Sequence, residues 1–216
     1  IFQKQKRNME YYNFIESFEV HEEKIEKELK KIKSLRKDFR NAGLKATIVP
    51  HSPYSVPPKL SKEISDFKDD SDDIISIHMQ ETKEENQLFN NKKGDLFDWL
   101  NKIQASEKIW KNRKKSTDII NEFDEKDLML VHNTFSQKDD ISNHYYCTCP
   151  KSNLHINNLL PDYSIFNAEK LCIGTDSLLS NDKLSILEEI FILQENSSFE
   201  LDTLFKIASK NGSEAL

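Results

Sequence analysis

Four short apolar runs each end on a side chain that can bind a metal or move a proton. No other feature of the sequence constrains the fold as much. Ala46-Thr47-Ile48-Val49-Pro50 closes on His51, and Ile74-Ile75-Ser76-Ile77 closes on His78. Leu128-Met129-Leu130-Val131 closes on His132, and Leu171-Cys172-Ile173-Gly174-Thr175 closes on Asp176. Buried parallel strands read as short apolar runs, and a (β/α) barrel places its polar working residues at their C-terminal ends. Tyr12 to Phe18 and Tyr145 to Cys149 supply two further strands, making six. A closed barrel of this type has eight, over roughly 250 residues. The sequence therefore predicts an α/β chain, a partial (β/α)8 TIM-type barrel spanning residues 1–216 as one domain and short of about two βα units.

The segments between the runs have helix length. From about His21 to Arg40, Ile25, Leu29, Ile32 and Phe39 recur at helical spacing, and Gly43 suits the stop. Pro57-Pro58 opens a second helix through Leu60, Ile64 and Phe67, because proline is tolerated in a first helical turn. Glu81 to Glu85 reads as an acidic helix opening. Asp95 to Lys115, with Phe97, Trp99 and Trp110, reads as an insertion near the pocket mouth. Ser116-Thr117 is expected to cap a short helix through Ile119, Ile120 and Phe123, and Leu201 to Leu216 reads as one helix. The chain begins at Ile1 and offers no tapering tail at either end, so a fragment is expected.

Charge sets further bounds. With 31 Lys and Arg against 37 Asp and Glu, the net charge is −6, and the signs are interspersed. That pattern describes a solvated surface, not a nucleic-acid footprint. The basic run Lys111 to Lys115 is expected to be loop surface. No apolar run has membrane-spanning length, so no membrane partner is expected. Three cysteines, an odd number, point to a reducing cytoplasm, and Cys147 and Cys149 are assigned to packing.

Histidines and a carboxylate at strand ends suit a metal-dependent hydrolase. Such an enzyme needs a Lewis acid that acidifies water, and a group that carries the water's proton to the leaving group. His78 and Asp176 are candidate metal ligands. Glu81, one turn past His78, is a candidate proton carrier, and His132 is a further ligand or a group that orients the water. Plainer readings stand beside these. Glu81 also favours the N-terminus of its helix through the macrodipole, Asp176 also suits an Asx turn, and Pro50 and Pro53 fix the loop at His51 whatever its imidazole does.

Five motifs, His51-Ser52-Pro53-Tyr54, Ile77-His78-Met79-Gln80-Glu81-Thr82, Val131-His132-Asn133, Cys149-Pro150-Lys151-Ser152-Asn153-Leu154 and Gly174-Thr175-Asp176-Ser177, occur in the order seen in the amidohydrolase superfamily. They resemble most its cytosine-deaminase-like branch of aminohydrolases and chlorohydrolases, from the third barrel strand to the last helix. The resemblance implies one divalent metal, zinc or iron, bound by His78 and Asp176. It implies Glu81 as proton shuttle, His132 on the attacking water, Asp176 as acceptor of the water's first proton, and His51, Ser152 and Asn153 as substrate contacts. The implied reaction is hydrolysis of a C–N bond other than a peptide bond. It would deaminate a cyclic amidine or heterocyclic amine by attack of metal-bound hydroxide on a small heterocyclic substrate. A homo-oligomer stays open.

The sequence also departs from the family. The family's first barrel strand supplies two ligands as a His-x-His pair, and no His-x-His occurs here. Its flanking β-sandwich is also absent, and Phe135 stands where some members carry histidine. A catalytic zinc normally has three protein ligands. By this reading the chain as given is inactive and belongs to an active parent hydrolase. The alternative is a non-catalytic truncated remnant, or a scaffold completed by a partner.

Overall fold

The computed structural model describes residues 1–6, 8–67, 74–123 and 127–216. The strands are β1 (Tyr12–Ser17), β2 (Lys45–Pro50), β3 (Ile75–Met79), β4 (Leu128–His132), β5 (Tyr145–Thr148) and β6 (Leu171–Ile173). The helices are α1 (Ile25–Asn41), α2 (Pro58–Ser65), α3 (Lys83–Asn91), α4 (Asp95–Lys102), α5 (Lys108–Lys111), α6 (Pro150–Asn157), α7 (Ile186–Glu195), α8 (Leu201–Ala208) and α9 (Lys210–Ala215). All the strands run parallel, β1 beside β2 and β3 to β6 in chain order. Among the described residues one backbone bond, His78 N–H to the His51 carbonyl at 3.0 Å, joins the two sheets at their C-terminal rim. The result is an arc of six parallel strands whose outer strands, β1 and β6, each pair on one side only among the described residues.

Strand parity explains the two faces of the arc. Ile75, Ile77, Leu128, Leu130, Tyr146 and Leu171 face the helices and join the main core with Ile25, Ile32, Leu60 and Leu204. The alternate residues Met129, Val131, Tyr145, Cys147 and Cys172 line the concave side with Tyr12 and Phe14. Cys147 and Cys149 share this side, and Gly174 makes room for them. A Cβ at Gly174 would lie 3.1 Å from the Cys147 sulfur and 3.4 Å from that of Cys149. Both cysteines are free thiols, as the packing assignment expects.

Several local expectations are corrected. Lys111 to Lys115 is not all surface, since Arg113 is 1% exposed. It pairs with both Glu122 oxygens at 2.8 Å and donates to the Pro53 and Val56 carbonyls and to the Ser61 hydroxyl. The segment at Ser116–Phe123 is a 3₁₀ helix. Asp118, not Ser116, accepts the backbone N–H groups of Lys114 and Lys115 at its start. The segment from Leu201 breaks at Ser209 into α8 and α9. There the buried Asn211 amide donates to the Ala168 and Leu171 carbonyls, tying α9 to the root of β6. The insertion packs with α3 in a second core of Val20, Leu88, Phe89, Leu100, Ile109 and Trp110, so Trp110 is core while Trp99 stays largely exposed.

Candidate active site

His51, His78, His132 and Asp176 all stand at or just past the C-terminal ends of their strands. Three of their rings form a continuous row. The His51 and His78 centroids are 4.8 Å apart, and those of His78 and His132 are 5.4 Å apart and stacked. Strand parity would put His132 on the helix side with Leu128 and Leu130. Its backbone instead turns left-handed, with φ +73° followed by +55° at Asn133, and this re-aims the ring. Asp176 is also left-handed, at φ +57°. Non-glycine residues held there are uncommon and cluster at sites where a side chain must be aimed.

Each ring is held by one nitrogen. His78 Nδ1 lies 2.7 Å from the His51 carbonyl, which can only accept, so Nδ1 carries a proton and donates it there, leaving Nε2 as the nitrogen turned to the rim. His132 Nδ1 donates to Asn153 Oδ1 at 2.9 Å, leaving Nε2 free 3.5 Å from a Glu81 oxygen. Burial pushes the His132 pKa below its ordinary value despite the Glu81 carboxylate, so the ring is neutral. His51 Nδ1 faces the Ser52 and Ser55 hydroxyls, each at 3.1 Å. Burial, reinforced by the other two imidazoles, takes its pKa down to about 4. Burial works to raise the Asp176 carboxyl, but hydrogen bonds from Ser180 (2.5 Å) and Ser152 (2.7 Å) hold it below the usual carboxylate range.

Helix α6 connects these groups. Ser152 bonds Asp176, Asn153 bonds His132, and Asn157 Nδ2 donates to the Glu81 carbonyl at 2.8 Å. Ser152 and Asn153 are fully buried. The resemblance implies that they line the pocket; the structure turns their polar groups towards His132 and Asp176. Asn153 Nδ2 has no hydrogen-bond partner among the described residues.

Sequence reasoning missed Glu16, Ser180 and Asn157. Glu16 Oε1 stands 3.8 Å from His78 Nε2. Its signal was the period-2 register of β1, which places it on the same face as Tyr12 and Phe14. Ser180 and Asn157 gave no local signal, because each acts on a residue brought near only by the fold. His155 is exposed and His21 bonds Glu19 and the Ile103 carbonyl, so both have ordinary roles. A cavity of about 740 Å³ lies at the opposite end of the strands among Met9, Tyr11, Leu44 and Leu216.

Parallel strands in chain order, with helices outside and histidines and carboxylates along one rim, define a partial α/β barrel of the hydrolase type. The amidohydrolase family model matches residues 5–216, and the chain belongs to that family. An adenosine deaminase of Helicobacter pylori is 30% identical over 83% of this chain and 47% of its own length. The crystal structure of Helicobacter pylori aminofutalosine deaminase superposes with a TM-score of 0.78 at 27% identity, covering 94% of this chain and 54% of that one. An adenosine deaminase from Xanthomonas campestris with bound zinc shares the fold at a TM-score of 0.64 and 18% identity, over 88% of this chain and 43% of that one. The chain spans about half the length of the curated relatives it matches. No helix among the described residues is long and apolar enough to cross a membrane.

Family members typically bind a divalent metal, and the donors here fit one in kind. His78 presents an imidazole nitrogen whose ring partner is a carbonyl, the usual support for a histidine ligand. Asp176 presents an ionised carboxylate. In number they fall short: among the described residues no group of three or more His, Cys, Asp or Glu side chains is placed to hold a metal ion.

Proposed function

We propose that this chain carries the metal-binding and proton-transfer part of a hydrolytic deaminase acting on the amino group of a small nitrogen heterocycle. The observation that carries the reading is the convergence at one rim of a neutral His132, an ionised Asp176 and the side chain of Glu81, all held through α6. Relatives named as deaminases of adenosine and of 5-methylthioadenosine or S-adenosylhomocysteine support an adenosine-like substrate class.

His78 and Asp176 would hold the divalent metal, with its remaining ligands coming from outside the described residues. When bound, that cation supplies the Lewis acidity that makes a water reactive at neutral pH. His132 accepts a hydrogen bond from the attacking water through Nε2, since Nδ1 is committed to Asn153. Asp176 takes the water's proton as the oxygen adds to the aminated ring carbon. Glu81 gives a proton to the adjacent ring nitrogen and regains one from the added hydroxyl as the carbonyl forms. The proton held by Asp176 passes to the departing amine, which leaves as ammonia. His51, neutral and edged by Phe18 and Tyr54, faces the substrate ring.

The test uses the polypeptide as its source produces it, assayed for ammonia release from adenosine-type nucleosides with metal content measured in parallel. Glu81→Gln should lower turnover by at least about 100-fold with metal content unchanged. Loss of metal together with activity would make Glu81 a ligand and overturn its assigned role. The incomplete donor set also favours a second reading, a non-catalytic remnant or partner-completed scaffold. Stoichiometric metal with ammonia release would sink it.

A further inference from the structure

Glu85 is a buried carboxylate that the proposed chemistry does not use. It lies in the first turn of α3 at 1% exposure. A glutamate three residues after an N-cap ordinarily reaches back to the N-cap backbone N–H, here that of Thr82. Glu85 reaches further. Its Oε1 accepts from the Gln80 N–H at 2.9 Å. Gln80 is left-handed at φ +46° and is itself tied across to the loop after β4. Its carbonyl accepts from the Phe135 N–H at 3.1 Å, its side-chain oxygen from the Ser136 hydroxyl, and its amide donates to Asp140 at 3.2 Å. On the other side of the Glu81 residue, Asn157 holds the carbonyl at 2.8 Å. The backbone of Glu81 is therefore clamped at both ends, and its side chain projects towards His132 Nε2 at 3.5 Å.

We propose that Glu85 is a positioning residue, whose buried carboxyl fixes the Gln80–Glu81 backbone and thereby aims the Glu81 carboxylate at His132. The inference rests on the reading of Glu81 as the proton carrier. Burial raises the Glu85 pKa to about 8, against a weaker opposing pull from its bond to Gln80. At neutral pH the group is therefore mainly a neutral acid, holding the turn through an acceptor oxygen. The titratable groups acting on it are Glu81 from its own turn and Tyr54 from the loop after β2, and the buried Ser116 hydroxyl lies beside it. A neutral amide can do the same work, and a methyl group cannot.

Both substitutions are made in the polypeptide as its source produces it. Glu85→Ala should lower kcat by about tenfold or more, with KM within about twofold and metal content unchanged, the pattern of a lost transition-state contact. Amide exchange should accelerate at Gln80 and Glu81 ahead of the rest of α3. Glu85→Gln should restore kcat to within about threefold of wild type and restore both amides. Wild-type kcat in Glu85→Ala would overturn the proposal, as would equal defects in Ala and Gln with uniformly faster exchange. Should Glu85→Ala not fold, Glu85→Asp, one methylene too short to reach Gln80, replaces it with the same two outcomes. Full activity in Glu81→Gln would instead sink the Glu81 reading, while amide exchange at residues 80 and 81 would still report on Glu85.

Discussion

His132 and Asn153 meet through a single hydrogen bond, ring Nδ1 to amide Oδ1 at 2.9 Å, and that bond fixes which nitrogen of the imidazole faces Glu81. With Asn153 cut to alanine, the ring is free to move its proton to Nε2, where it would donate to Glu81 instead of accepting from water. Asn153→Ala should therefore lower kcat by about 10- to 100-fold with little change in metal content. Steady-state kinetics with metal analysis checks this, and an unchanged kcat would show that the tautomer is set elsewhere.

Arg113 is the most consequential buried charge. Its guanidinium joins the insertion to the loop that carries His51, through the Pro53 and Val56 carbonyls, and it pairs side-on with Glu122. Removing one partner strands the other charge and two carbonyls. Arg113→Met should cost about 3–5 kcal/mol in urea denaturation. Arg113→Lys should also destabilise, because a point charge cannot form the forked pair. A loss below about 1 kcal/mol, the value of an exposed pair, would contradict this account.

Glu85 makes stability depend on pH in a direction opposite to the common carboxylate. Its folded pKa is raised to about 8 from an ordinary 4.5, so the unfolded chain gives up the proton first as pH rises. The contribution is fully present below about 4.5 and is lost as pH rises through about 8, with an upper limit of about 5 kcal/mol. Glu85→Gln should remove that slope and narrow the stability gap between pH 5 and pH 9. Parallel pH profiles for the two proteins would place the native ionisation elsewhere.

The strands β1 and β6 each leave one edge unpaired among the described residues. Open parallel edges recruit further strands. Produced by itself, this polypeptide should self-associate in light scattering. A monomer with one cooperative melting transition would show that both edges are protected.

The strand ends were legible because the signal is local: an apolar run and its polar terminator lie within six residues. The same holds for α1, whose buried face Ile25, Ile32 and Arg36 follows helical spacing. Arg113 was read as surface because its partners Pro53, Val56 and Ser61 lie more than fifty residues away. Glu85 looked like an ordinary favourable charge at a helix start, and only the path of the backbone at Gln80 gives it another task.

The sequence by itself determined the alternation of strands and helices and which side chain stands at each strand's end, since both follow from period and composition over a few residues. Only the tertiary structure decided what those side chains do to one another. Ser152 reaches Asp176 across 24 residues, Asn157 reaches Glu81 across 76, and the left-handed turn at His132 brings its ring against that of His78. Those relations depend on how strands pack side by side and where α6 lies against them, and no local pattern of residues encodes that placement.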